Sequence, residues 1–176
     1  MKKYLSLFII LFLFPIYVFA ANREQIELYE CVDGDTAVFM IDGKEEKVRL
    51  LAINTEESVS STSYNTFMGK IASFYTCLRL KLATNIEIEY DSKANKEDKY
   101  GRKLGWIFVN DTLLQKDLIA KGFAKVAYLY DDYKYTEELQ ITEKLAKEAN
   151  LGIWNNENYI AKIYNLYQKI RKIFTW

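Results

Sequence analysis

No histidine occurs among the 176 residues of this chain. Ser-His-Asp and Cys-His hydrolases, histidine-based nucleases and paired-histidine zinc sites all need the imidazole it lacks. There are two cysteines, Cys31 and Cys77, too few to build a zinc site alone. They either pair as a disulfide, as an extracytoplasmic setting permits, or are small buried core residues; the sequence leaves both open. One proline and seven glycines leave no room for a long flexible linker. No repeat at solenoid periods and no low-complexity tract is present. Neither charge sign dominates, since 24 basic residues balance 24 acidic ones, so there is no bulk attraction for a polyanion. Any catalysis must use carboxylates, arginines, lysines, tyrosines or a metal held through oxygen.

Half the residues are hydrophobic and 27% are charged, the balance of one globular domain. The first twenty stand apart. Lys2 and Lys3 precede an apolar run over residues 5–14, Pro15 breaks it, and Val18-Phe19-Ala20 offers a small residue before a cut. That order is expected of a secretory signal over 1–20, with the mature chain beginning at Ala21 and the protein secreted or held in the cell envelope. The competing reading is an uncleaved membrane anchor. Removing Lys2 and Lys3 leaves 22 basic against 24 acidic residues. Binding to a phosphate backbone would then need a local basic cluster.

Residues 24–53 read as strands, with Asp33-Gly34 interrupting the first and Asp42-Gly43 marking a hairpin. Residues 58–63 suit a loop and a helix cap. Phe67, Ile71, Phe74, Tyr75, Leu78 and Leu82 recur at helical spacing and predict one apolar face. Residues 86–90 alternate as a half-buried strand, 91–99 form a charged loop, and 104–109 read as another strand. Asp111 or Thr112 is expected to cap a short helix that stops at Gly122. Residues 123–130 return to extended chain, and 137–150 are helical. Five short strands with about three interleaved helices predict an α+β fold, a small Greek-key barrel of the OB type, over 21–154.

Four segments carry the candidate chemistry: Val32-Asp33-Gly34-Asp35-Thr36, Val48-Arg49-Leu50-Leu51-Ala52-Ile53-Asn54-Thr55-Glu56-Glu57, Lys99-Tyr100-Gly101-Arg102, and Gly122-Phe123-Ala124-Lys125-Val126-Ala127-Tyr128. Singly each has an ordinary structural reading: a turn, a surface ion pair, a loop before a strand. In this order and spacing, together with the closing Leu151-Gly152-Ile153-Trp154, they resemble the thermonuclease (micrococcal nuclease) family from about residue 27 to 154.

The resemblance implies an OB-type barrel and a calcium-dependent nuclease acting on DNA and RNA, single strands preferred, leaving 3′-phosphates. It matches Asp35 to a carboxylate that binds Ca²⁺ and Thr55 to a ligand through its backbone carbonyl. Asn54 stands where the family usually has an aspartate ligand. Glu57 matches the general base, Arg49 and Arg102 the phosphate-gripping arginines, and Lys99, Tyr100, Tyr128 and Tyr130 the nucleotide pocket. Physical chemistry supports the set: forked guanidiniums suit phosphoryl oxygens, Ca²⁺ takes oxygen ligands, a carboxylate can accept a proton from water, and tyrosines can flank bases.

Two departures stand out. Asn54 removes a negative charge from the metal set, and Glu56 occupies the family's usual proline position. Glu56 either loosens the loop or returns negative charge near the metal.

Beyond Trp154, residues 155–176 predict an amphipathic helical extension, with Ile160, Ile163, Tyr164, Tyr167, Ile170 and Phe174 on one stripe. It is expected to pack on the barrel, lie on an anionic membrane surface or help hold nucleic acid. The chain is expected to act as a monomer. Two other function classes compete: a non-catalytic OB module for single strands, favoured by Asn54, and an envelope scaffold, disfavoured by joint retention of Arg49, Glu57 and Arg102.

Overall fold

Alternating apolar and polar residues become strands here wherever a glycine or an Asx turn lets the chain reverse. The computed structural model describes residues 22–57, 63–155, 166 and 169. The expected signal over 1–20 lies outside them, as does nearly all of the expected helix over 155–176.

In chain order the elements are β1 (Arg23–Gln25), β2 (Glu27–Cys31), β3 (Thr36–Ile41), β4 (Lys44–Leu50), β5 (Ile53–Thr55), α1 (Ser63–Lys81), β6 (Ile86–Glu89), β7 (Lys103–Val109), β8 (Thr112–Leu113), α2 (Leu114–Ala120), β9 (Ala124–Val126) and α3 (Thr136–Glu148), then a short 3₁₀ turn (Gly152–Trp154). Strands and helices segregate as in an α+β fold of the OB-like kind. The main sheet has seven strands in the order β1-β6-β7-β4-β3-β2, with β8 beside β7, while β5 and β9 form a separate pair. The β4–β7 pairing is parallel. β1 and β2 occupy opposite ends of the order, yet only Ile26 separates them in the chain, and its N–H donates to the Ile86 carbonyl at 2.9 Å.

The Asp42-Gly43 signal becomes the β3–β4 hairpin, and both turn residues have positive φ (50° and 74°), as a primed turn requires. Trp106, Phe39, Leu50, Ile53, Ile88, Ile107, Leu118 and Leu139 are fully buried between the sheet and the helices. Each apolar side chain of this size contributes ~1.5–3 kcal/mol when removed from water. Trp106 is not wasted as a polar group: its indole N–H donates to Asp91 at 3.0 Å.

Three expectations are resolved or corrected. Cys31 and Cys77 form a disulfide, which ties the end of β2 to α1 across 46 residues. The apolar stripe expected on one face of α1 is split: Phe67, Ile71 and Tyr75 are half-buried, while Phe74, Leu78 and, just past the helix, Leu82 are exposed. Met68, Gly69, Ala72, Thr76 and Leu80 face inward instead. Gly69, Ala72 and Thr76 occupy the part of that face pressed against the Gly34 turn and the backbone of residues 56 and 57, with the larger Met68 and Leu80 to either side. Finally, Asp111 and Thr112 do not cap α2. Asn110 and Asp111, both at positive φ, make the tight β7–β8 turn, and Leu113 takes the cap position without a side-chain bond. The helix does stop at Gly122, whose φ of 67° suits the residue after a helix end.

Candidate active site

Asp33, Gly34 and Asp35 make the turn from β2 into β3. The Asp33 carboxylate accepts the Asp35 N–H at 3.0 Å, and Thr76 of α1 donates its hydroxyl to the Gly34 carbonyl at 2.7 Å. Gly34 is required for space: a Cβ there would stand 2.7 Å from Thr55 Oγ1 and 2.9 Å from Ala72 Cβ. This close approach brings the Asp35 carboxylate against β5. Its Oδ2 accepts the Thr55 N–H at 2.9 Å and the Thr55 hydroxyl at 3.1 Å. Its Oδ1 pairs with Arg49 Nη1 at 2.6 Å and accepts the Thr36 hydroxyl at 3.1 Å.

Arg49 comes one residue before the end of β4, held in register opposite Thr36 on one side and Leu104 on the other. It is only 8% exposed. Its guanidinium is surrounded by oxygen, donating to the Asp35 carbonyl (3.3 Å), the Ile53 carbonyl (3.1 Å) and Asn54 Oδ1 (3.2 Å). Asn54 Oδ1 also accepts the Tyr128 hydroxyl at 3.3 Å, and the Tyr128 ring lies 5.6 Å from the guanidinium carbon. Burial pushes the Asp35 carboxyl above the ordinary range, although Arg49 and the Thr55 donors pull it down.

Two residues at this junction have backbone conformations that side-chain-bearing residues rarely take. Ala52 has φ 63° and Tyr128 φ 57°, and the adjacent Ala127 N–H donates to the Ala52 carbonyl at 3.0 Å. Strain of this kind costs of order 1–3 kcal/mol and is held in place by its surroundings. Here it turns the Tyr128 hydroxyl onto Asn54.

The second arginine has a different setting. Arg102 lies just before β7 and is gripped by Asp98, with Nε and Nη2 each 2.7 Å from Oδ2. Asp98 also accepts the N–H groups of Tyr100 and Arg102. Burial pulls the Asp98 carboxyl up, but those N–H groups and the guanidinium outweigh it and hold it below the ordinary range. The Tyr100 ring sits 5.5 Å from the Arg102 guanidinium and 5.0 Å from Lys99 Nζ.

Both arginines line one cleft of about 640 Å³, together with Lys99, Tyr100, Tyr128 and Tyr130. Tyr100, Tyr128 and Tyr130 are exposed. The far wall is anchored from below: Asp91 accepts the Lys134 N–H at 2.8 Å, and Glu89 holds the Lys134 ammonium and the Tyr135 hydroxyl. Permanently charged donors beside flat aromatic faces suit a ligand with anionic oxygens and planar rings.

Of the residues singled out in the sequence, Asp35, Arg49, Asn54, Thr55 and Tyr128 form one bonded cluster; Arg49 and Tyr128 line the cleft with Lys99, Tyr100, Arg102 and Tyr130, whereas Asp35, Asn54 and Thr55 lie behind Arg49 and do not line it. Glu57 is exposed and does not line the cleft. Its carbonyl and that of Glu56 lie where a Cβ of residue 69 would be, 2.6 Å for Glu56 O, so the loop rests directly on α1 at Gly69. Among the described residues no group of three carboxylate, histidine or cysteine side chains is gathered to hold a metal. Asp35 Oδ1, Asn54 Oδ1 and the Ile53 carbonyl converge on the Arg49 guanidinium. These are hard oxygens, the class of ligand Ca²⁺ takes, and in this structure the Arg49 guanidinium engages them.

Sequence reasoning missed Asp98, Thr76, Gly69 and Lys125. Asp98 had a signal, four residues before Arg102 in a turn; Thr76 acts through a hydrogen bond, Gly69 through close packing and Lys125 through an ion pair, each with a segment distant in the chain.

The family model described as "Staphylococcal nuclease homologue" matches residues 47–156. The chain is 32% identical over 137 residues to a protein named Endonuclease YncB from Bacillus subtilis, covering 77% of this chain and 64% of that protein. It is 30% identical over 138 residues to a protein named Thermonuclease from Staphylococcus hyicus, covering 77% of this chain and 79% of that one. To the Thermonuclease of Staphylococcus intermedius it is 33% identical over 125 residues, covering 70% and 71%.

Proposed function

The chain belongs to the staphylococcal nuclease homologue family, the thermonucleases, and from that membership we propose that it is a calcium-dependent phosphodiesterase cutting DNA and RNA with weak sequence preference. The observation that supports this most is that Arg49 and Arg102 line one cleft with three exposed tyrosines. Attack on a phosphodiester builds negative charge on the phosphoryl oxygens. Arg49, already ordered by its oxygen partners, and Arg102, released from Asp98, stabilise that charge. Glu57 takes the proton of the attacking water, a task a carboxylate performs without histidine. Tyr100, Tyr128 and Tyr130 flank the bases and favour single strands. Bound through Asp35, Asn54 and the Thr55 carbonyl, Ca²⁺ would supply positive charge at the phosphate and polarise the water.

The finer fold and setting belong to the same proposal. Counting β1 and β2 as two halves of one strand turns the sheet order into a five-stranded barrel, β6 and β3 each pairing with one half. The protein is secreted or held in the envelope through a signal over 1–20, and acts as a monomer, with the extension over 155–176 available for membrane-surface contact. The Cys31–Cys77 disulfide supports the extracytoplasmic setting.

The test is a gel. Purified mature protein is incubated with single-stranded DNA or RNA, in calcium or in chelator, beside Glu57→Gln. Cleavage in calcium, none in chelator, and a loss of about 10²–10⁴-fold in Glu57→Gln are expected. Binding without cleavage would leave a non-catalytic OB module; undiminished cutting in chelator would exclude the metal.

A further inference from the structure

Lys125 is the middle residue of β9 and stands directly across from Asn54 in the β5–β9 ladder. Because side chains alternate along a strand, Asn54 and Glu56 project to the same side as Lys125. The Lys125 ammonium reaches Glu56 Oε1 at 3.1 Å, with Glu56 20% exposed at its side chain. The Glu56 carboxylate is thus paired with a lysine on the neighbouring strand, whose side chain is 41% exposed.

The loop of residues 56 and 57 is therefore gripped from two sides. Its backbone carbonyls rest on α1, where Gly69 leaves no Cβ in their way. Its first side chain is tied to β9. β9 in turn is fixed by the Thr55↔Ala124 and Ile53↔Val126 pairs and by the Val126 N–H, which donates to Glu143 of α3 at 2.8 Å. A proline would have stiffened position 56 by restricting its backbone. With glutamate there, the stiffness must come from outside the loop.

We propose that Lys125 is a positioning residue for catalysis: its ion pair with Glu56 holds the loop so that Glu57, the next residue, presents its carboxylate in a fixed place. Lys125 touches no reacting atom; it acts through Glu56. The inference rests on the reading of Glu57 as general base, and its test separates the two.

Lys125→Met, Lys125→Arg, Glu56→Gln, Glu56→Pro and the doubles Lys125→Met/Glu56→Gln and Lys125→Met/Glu56→Pro are compared by kcat and KM on single-stranded DNA. They are also compared by hydrogen exchange of a peptide spanning residues 52–57. Lys125→Met and Glu56→Gln should each lower kcat about five-fold, the rate equivalent of about 1 kcal/mol, with KM unchanged and exchange faster. The double Lys125→Met/Glu56→Gln should be no worse than either single, since one interaction is lost in all three. Lys125→Arg should keep the wild-type rate, and Glu56→Pro should make Lys125→Met harmless. Wild-type kcat and exchange in Lys125→Met, or multiplying losses in the double, would overturn the proposal. If the wild type cuts nothing, the nuclease reading fails on its own, while exchange in the same variants still decides whether Lys125 holds the loop.

Discussion

The two arginines of the cleft are built to opposite specifications. Arg49 is part of the interior, 8% exposed, and bonded to Asp35, Ile53 and Asn54 before any ligand arrives. Arg102 stands on a loop flanked by Tyr100, which is 72% exposed, and its partner Asp98 belongs to the same loop. One is held by the fold, the other by four residues of local chain. Arg49 has little side-chain freedom left to lose on binding a phosphate, and its removal strips a buried carboxylate of its counter-charge. Arg102 must exchange Asp98 for the ligand, so its contribution is set by competition.

The sharpest way to break this contrast is to remove each arginine in turn. Arg49→Ala leaves Asp35 buried beside no cation and should cost about 3–5 kcal/mol of stability by denaturant melt. Arg102→Ala should change stability by less than about 1 kcal/mol, as expected of a partly exposed pair. In a cleavage assay both should lose rate, by about 10²–10³-fold for a lost donor to a developing oxyanion. Equal destabilisation by the two variants would erase the distinction.

A smaller effect should come from the disulfide. Cys31 leads into the Asp35 turn, and Cys77 follows Thr76, which bonds the same turn. Reduction, or Cys31→Ser/Cys77→Ser, should cost about 2–4 kcal/mol. It should also loosen exchange at residues 33–36 while leaving 98–102 as it was. Loosening of both segments alike would mean that the disulfide stabilises the whole fold without favouring the Arg49 side.

The smallest effect concerns Asp98. Its carboxyl is held low in the folded chain, so it contributes stability above the ordinary carboxylate value of about 3.9, and that contribution is lost as pH falls through the lower folded value. Asp98→Asn should therefore be modestly less stable than wild type from about pH 5 upward, with the gap closing in acid. The same variant frees Arg102 and should lower KM for DNA. An unchanged KM would show that Asp98 does not compete with the phosphate.

Much of the Arg49 side was legible from the residues, and the reason is local. Asp35, Arg49, Asn54 and Thr55 fall in two short segments whose turn and strand signals are strong, and Asp42-Gly43 fixes the hairpin that joins β3 to β4. What stayed hidden depends on approach between segments far apart in sequence. The stripe of Phe74, Leu78 and Leu82 has the periodicity of a buried face, yet the helix turns Ala72, Gly69 and Thr76 inward, because the Asp35 turn and the Glu57 loop come too near for large side chains. Asp111 and Thr112 carry the chemistry of a helix cap, but the β7–β8 turn takes Asp111 and the strand β8 takes Thr112. The pairing of Cys31 with Cys77 needed the distance between β2 and α1, which no spacing reveals. Lys125 sat inside a segment noticed for other reasons, and its role depends on which residue faces it across a two-stranded ladder.

The parallel pairing of β4 with β7 has a consequence for how such a protein can change over generations. Arg49 is in register with Leu104, and Lys103 with Val48, so Arg102 enters the ladder beside the strand that carries Arg49. The backbone leading out of Arg102 is thus placed beside β4 by ladder hydrogen bonds, while its guanidinium is placed by Asp98 of the preceding loop. Changes in that loop, and in the tyrosine-bearing stretch after β9, can leave that backbone register intact, provided that Asp98, which holds the Arg102 side chain, and Tyr128, which lies over Arg49, are kept. Side chains elsewhere in these two stretches can drift while the register between β4 and β7 is inherited unchanged.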